Sequence, residues 1–123
     1  MSSALAWAGV GVLGAIGSLA RFYVGGLVAA RRPSDFPLGT FVVNLTGGFL
    51  LGLLTGLSVT GDALLVFGTG LLGGYTTFST WMVEAERLGE DGEWASMWAY
   101  LLGLMLAGLA ITGLGWLLGE AIA

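Results

Sequence analysis

The chain has 123 residues, of which 56% are hydrophobic and only 10% charged, and its mean hydropathy is +0.91. That balance lies outside the range of soluble globular domains and places the chain in a bilayer. With no Cys, His or Lys, it excludes thiol chemistry, histidine general-base catalysis, Schiff bases and soft-metal sites, and a net charge of −4 gives nucleic acid nothing to bind.

The charges divide the chain into uncharged runs at residues 1–20, 36–61, 63–83 and 94–119. Each exceeds the ~18 apolar residues needed to cross the hydrocarbon core as a helix, so the fold class expected is an all-α integral membrane protein with four transmembrane helices in a single domain, 1–123. The first run has no Lys or Arg before it and outlasts a signal peptide's apolar stretch, which favours a span over a cleaved leader.

The first predicted helix covers about 4–29 and ends at Arg31-Arg32-Pro33-Ser34-Asp35-Phe36-Pro37, where two prolines and three charges mark an interfacial loop. Arg21 lies near the end of this helix and is expected to snorkel or to meet carbonyls within the bundle, a structural role. The second helix covers about 38–57. Thr40, Asn44, Gly48, Gly52 and Gly56 recur there at every fourth position and form one face suited to close backbone approach. A glycine face needs a partner helix, so oligomerisation is expected, with a dimer as the minimal answer.

The third helix, about 63–87, carries Gly73-Gly74-Tyr75-Thr76-Thr77-Phe78-Ser79-Thr80 in its middle. This run of poor helix formers predicts a break at membrane depth, where freed carbonyls become ligands for a cation. The alternative is a continuous helix whose hydroxyls bond back to the preceding turn. The fourth helix covers about 94–121. Trp7, Trp94, Trp98, Trp116, Tyr23 and Phe36 lie toward span ends, as interfacial anchors do.

Asn44 is the only Asn, and Gln is absent. Its amide is either interhelical glue or an uncharged donor for an anion that must be held and released. Phe49, Phe78 and Trp81 are ordinary core or lipid-facing residues by count, but their electropositive ring edges also suit an anion path. An even number of spans puts both termini on one side, and Arg31, Arg32 and Arg87 on the other, which the positive-inside rule makes cytoplasmic.

The run Gly73–Trp81 resembles the helix-3 motif GGxTTFSTF of the Fluc (CrcB) fluoride channels. Gly39-Thr40-Phe41-Val42-Val43-Asn44 is similar to the family's GTxxxN, and Gly14-Ala15-Ile16-Gly17-Ser18-Leu19-Ala20-Arg21 to its GxxGxxxR. The resemblance covers the whole chain and implies an antiparallel, dual-topology dimer in a bacterial or archaeal inner membrane, exporting fluoride passively. It implies a fluoride path along Asn44, Thr40, Phe78, Ser79, Thr80 and Trp81, with Tyr100 as a looser match. It also implies a structural sodium ion held by backbone carbonyls at Gly73 and Thr76. Trp81 stands where the family usually has phenylalanine. The three-to-none arginine bias, unusual for a chain that inserts both ways, opens the alternative of a heterodimer with an oppositely biased paralogue.

Three other classes compete. A proton-coupled four-helix multidrug exporter needs a membrane-embedded carboxylate, and Glu84, the only acid within reach of a span, falls near the end of the third helix, where it marks the interface. A non-transporting packing subunit would leave Asn44 and the helix-3 run without a purpose. An enzyme would need a nucleophile and base pair that the chain does not offer.

Overall fold

Ser2 accepts a hydrogen bond from the Leu5 amide at 3.2 Å and so caps the first helix, α1, which runs Ser3–Arg31 and stops ahead of Pro33. Pro37, with its fixed φ and no amide to lose, leads into α2, Leu38–Gly56. The turn that follows uses positive φ at Ser58 and Gly61. Helical structure then resumes as α3, residues 61–75, of which Leu64–Leu72 is a π-helix. After an interruption at residues 76–78, α4 runs Ser79–Glu90, and a turn with positive φ at Gly92 delivers the chain to α5, Trp94–Ile122. This computed structural model describes residues 2–123, and among them every element is helical.

Three helices, α1, α2 and α5, are each long and apolar enough to cross a membrane. The chain is therefore a multi-pass membrane protein. α3 and α4 together occupy the stretch expected as the third helix. The interruption is narrower than the run that predicted it, because Gly73, Gly74 and Tyr75 keep helical structure and only residues 76–78 leave it.

The most extensive contact is between α2 and α5, and glycine makes it possible. A Cβ on Gly52 would strike the Thr112 carbonyl, one on Gly56 the Trp116 carbonyl, and one on Gly115 the Phe49 carbonyl. A Cβ on Gly48 would come 2.7 Å from the Thr112 hydroxyl. Here the sequence expectation needs correcting: the glycine face of α2 is covered by α5 of the same chain, so that face is no argument for a second subunit. Spacing reveals that a smooth face exists and says nothing about which helix fills it.

α1 meets α3 in the same manner, with Gly17 against the Leu71 carbonyl and Gly74 against the Gly14 carbonyl. The principal apolar core forms where Ala85, Leu88, Tyr100 and Leu104 pack with Phe36, Phe41 and Trp81. Phe36, half-buried in the loop ahead of α2, meets Tyr100 edge-on at 5.3 Å and so packs against this core. The five other aromatics expected at span ends, Trp7, Tyr23, Trp94, Trp98 and Trp116, are exposed.

Candidate ion site at the helix break

The break is built by α2 as much as by its own residues. Thr76 leaves the helix with an extended backbone, φ −82° and ψ 160°. The next peptide is taken up by Asn44: its Nδ2 donates to the Thr77 carbonyl at 2.8 Å, and the Thr77 amide donates to its Oδ1 at 2.9 Å. One carboxamide thus replaces two helical hydrogen bonds, which removes the cost of unpaired backbone inside a membrane. Of the two readings of Asn44, glue is satisfied directly, and one of its two amide hydrogens is left over for a ligand.

Thr77 is buried, and its hydroxyl accepts from the Thr80 amide at 3.2 Å, starting α4 as an N-cap side chain does. Thr76 turns back, donating from both Oγ1 and N to the Leu72 carbonyl at 2.9 Å. Gly47 lets α2 sit this close, since a Cβ there would run into the Thr76 methyl and come 3.1 Å from the Tyr75 ring. Beside it, the Tyr75 and Thr46 hydroxyls lie 2.9 Å apart. Thr46 already donates to the Val42 carbonyl at 2.8 Å, so Tyr75 is the donor between them.

Two cavities flank the break. One, of about 290 Å³, is lined by Asn44, Gly73, Thr76, Thr77, Phe78 and Trp81, with Gly48 at its wall. The other, of about 250 Å³, is lined by Ser18, Arg21, Thr40, Thr77 and Thr80. Buried Thr77 belongs to both and separates them. Phe78 and Trp81 stand one helical turn apart and meet at right angles, centroids 5.8 Å apart and planes at 88°. Phe78 is 69% exposed, an open ring at the lip of a polar break. The indole nitrogen of Trp81 is buried and has no hydrogen-bond partner among the described residues.

The expected site residues therefore fall into groups. Asn44, Gly73, Thr76, Phe78 and Trp81 share one cavity, while Thr40, Thr80 and Arg21 share the other. Arg21 is not near the end of its helix, as expected from the sequence, but well inside it. Ser79 is exposed on α4 and lines neither of these cavities, and Gly52 serves the α2 and α5 contact. Tyr100 is fully buried in the core and its hydroxyl donates to the Glu84 carboxylate at 3.0 Å. Sequence reading passed over Thr77 and Gly47. A threonine three residues ahead of an amide that starts a helix was the available signal for the first, and Gly47 falls outside the four-residue glycine spacing that drew attention.

Residues 8–116 match the family described as CrcB-like protein, Camphor Resistance (CrcB). The chain is 50% identical to the Fluoride-specific ion channel FluC 2 of Mycobacterium tuberculosis, over 89% of this chain and 86% of that one. It is 43% identical to the FluC 2 protein of Mycolicibacterium paratuberculosis, over 99% of this chain and the whole of that one. A third relative, FluC 2 of Moorella thermoacetica, is 45% identical over 92% of this chain and 95% of its own length. Matches that run nearly end to end at this level of identity, joined to the match over residues 8–116, place the chain in the CrcB family.

Proposed function

We propose that this chain is a subunit of a fluoride-selective channel that lets fluoride leave the cytoplasm passively, and that it catalyses no reaction. The observation that carries the reading is the convergence of an uncharged amide donor, Asn44, and two aromatic rings, Phe78 and Trp81, on one cavity at a helix break. Fluoride is small and strongly hydrated, so a path for it must replace water with several modest donors and hold the ion loosely. The free hydrogen of the Asn44 amide, the ring edges, and the hydroxyls of Thr40 and Thr80 next door are donors of that kind. The fluoride-specific names of the relatives support the same reading.

The assembly that fits this site is an antiparallel dimer with four spans per subunit, α3 and α4 forming the broken third span, in the cytoplasmic membrane of a prokaryote. The exposed Phe78 ring beside the break favours cover from a second subunit. A structural sodium ion suits the same place: Gly73 and Thr76 share a cavity that no acidic residue lines, and neutral carbonyl oxygens are ligands for a hard monovalent cation. The heterodimeric arrangement also has support, because Arg31, Arg32 and Arg87 cluster at the C-terminal ends of α1 and α4, which a four-span topology puts on one side, and relatives carry the paired names FluC 1 and FluC 2.

Efflux from liposomes that contain only this purified chain tests the proposal, read with fluoride and chloride electrodes. Fast fluoride loss without chloride loss is expected. Silence from folded protein, persisting after co-reconstitution with a paralogue, would overturn it. In the same assay Phe78→Ala is expected to slow fluoride by about fivefold, the worth of one lost aromatic-edge contact at roughly 1 kcal/mol. An unchanged rate would remove Phe78 from the path.

A further inference from the structure

In an unbroken helix the Thr77 amide would bond to the Gly73 carbonyl, and the Thr80 amide to the Thr76 carbonyl. Neither bond forms. The Thr77 amide is taken by Asn44 Oδ1 at 2.9 Å, and the Thr80 amide by Thr77 Oγ1 at 3.2 Å. No other hydrogen bond to either of these two carbonyls forms among the described residues, although Gly74 between them receives Ser18 Oγ at 3.4 Å. Two side-chain acceptors have thus intercepted two backbone donors. The carbonyls so released belong to Gly73 and Thr76, and both residues line the same cavity.

We infer that Asn44 and Thr77 are positioning residues for a monovalent-cation site: by capturing two amides they leave the Gly73 and Thr76 carbonyls free to ligate the ion. The inference rests on the cation reading above and explains how a chain without suitable side-chain ligands makes one. No cluster of His, Cys, Asp or Glu among the described residues could hold a metal ion. Free carbonyls inside a membrane are costly unless something binds them, and the two residues that carry these line a cavity with no acid and no base. Asn44 adds a second tie through Nδ2 to the Thr77 carbonyl, which fixes the peptide between the two intercepted amides.

Thr77→Val keeps the shape of the side chain and removes the acceptor, so the Thr80 amide is returned to the Thr76 carbonyl. Thr77→Ser keeps the acceptor. Sodium binding to the purified full-length protein, followed with radioactive sodium against a choline background, is expected to weaken by about tenfold or more in Thr77→Val, the usual cost of removing a group that orients a ligand, and to be restored in Thr77→Ser. Equal affinity in wild type and Thr77→Val would overturn the positioning role alone. A wild type that takes up no sodium would overturn the cation reading beneath it. Should Thr77→Val fail to fold, carbonyl carbon shifts of the labelled wild type decide the matter: those of Gly73 and Thr76 should move when sodium replaces choline, and shifts that stay put would overturn the inference.

Discussion

Asn44→Asp is expected to stop fluoride passage almost completely while the protein still purifies as a folded species. The substituted side chain loses Nδ2, so an oxygen faces the Thr77 carbonyl that now receives a hydrogen bond at 2.8 Å. The acceptor for the Thr77 amide at 2.9 Å is retained. The larger effect is charge. A carboxylate about 4 Å from an anion repels it by ~4 kcal/mol at an effective dielectric of ~20. That barrier corresponds to a fall in rate of about a thousandfold. Asn44→Ala, which loses both hydrogen bonds and adds no charge, is expected to keep more flux than Asn44→Asp. Electrode-monitored efflux from liposomes, paired with size-exclusion profiles in detergent, measures both. Wild-type flux in Asn44→Asp would show that the ion does not pass this side chain.

Gly52→Val is expected to cost the fold itself. A Cβ at this position strikes the Thr112 carbonyl, and the neighbouring contacts of Gly48, Gly56 and Gly115 hold the two helices together at the same spacing. Because the obstacle is backbone, no rotamer change relieves the clash, and α2 and α5 must separate along their length. Overpacking of this kind reaches or exceeds ~3 kcal/mol, at the upper end of measured cases. Thermal unfolding in detergent should show a large drop in midpoint or no folded protein at all. Gly103→Val is the control: it lies on the same helix α5 with nothing within 4 Å of an added Cβ, and a change within about 0.5 kcal/mol is expected. Equal behaviour of the two variants would mean that the glycine contact does not hold the fold.

How much of this was legible in the sequence depends on whether the cause was local. The helices were, because each apolar run is bounded by charges, Pro or Gly that act on their own few residues. The break was legible as a region, since Gly-Gly and four hydroxyl residues oppose a helix together, but its true extent depends on Asn44, thirty-three positions away from Thr77. That partner follows from how α2 lies across α3, which no local pattern records. For the same reason the glycine spacing in α2 announced a close contact and left α5 unidentified. The Tyr100 and Glu84 pair was hidden too, since a tyrosine on an apolar helix looks like any other aromatic until its hydroxyl finds the carboxylate. π-helical winding across Leu64–Leu72 has no sequence signal that distinguishes it from α-helix, and we have no physical account of why this segment adopts it.

The single carboxamide that fastens α2 to the break also lines the cavity and, in the function proposed above, is its amide donor, so two inherited properties share one codon. A descendant drifting toward a different anion cannot retune that donor in isolation, because every replacement also alters the tether to Thr77. Changes of preference therefore have to arrive together with compensating changes in the broken helix, or through the ring positions Phe78 and Trp81, which no such tether constrains. Variation in natural relatives and in directed-evolution libraries should accordingly concentrate at the rings and spare the amide.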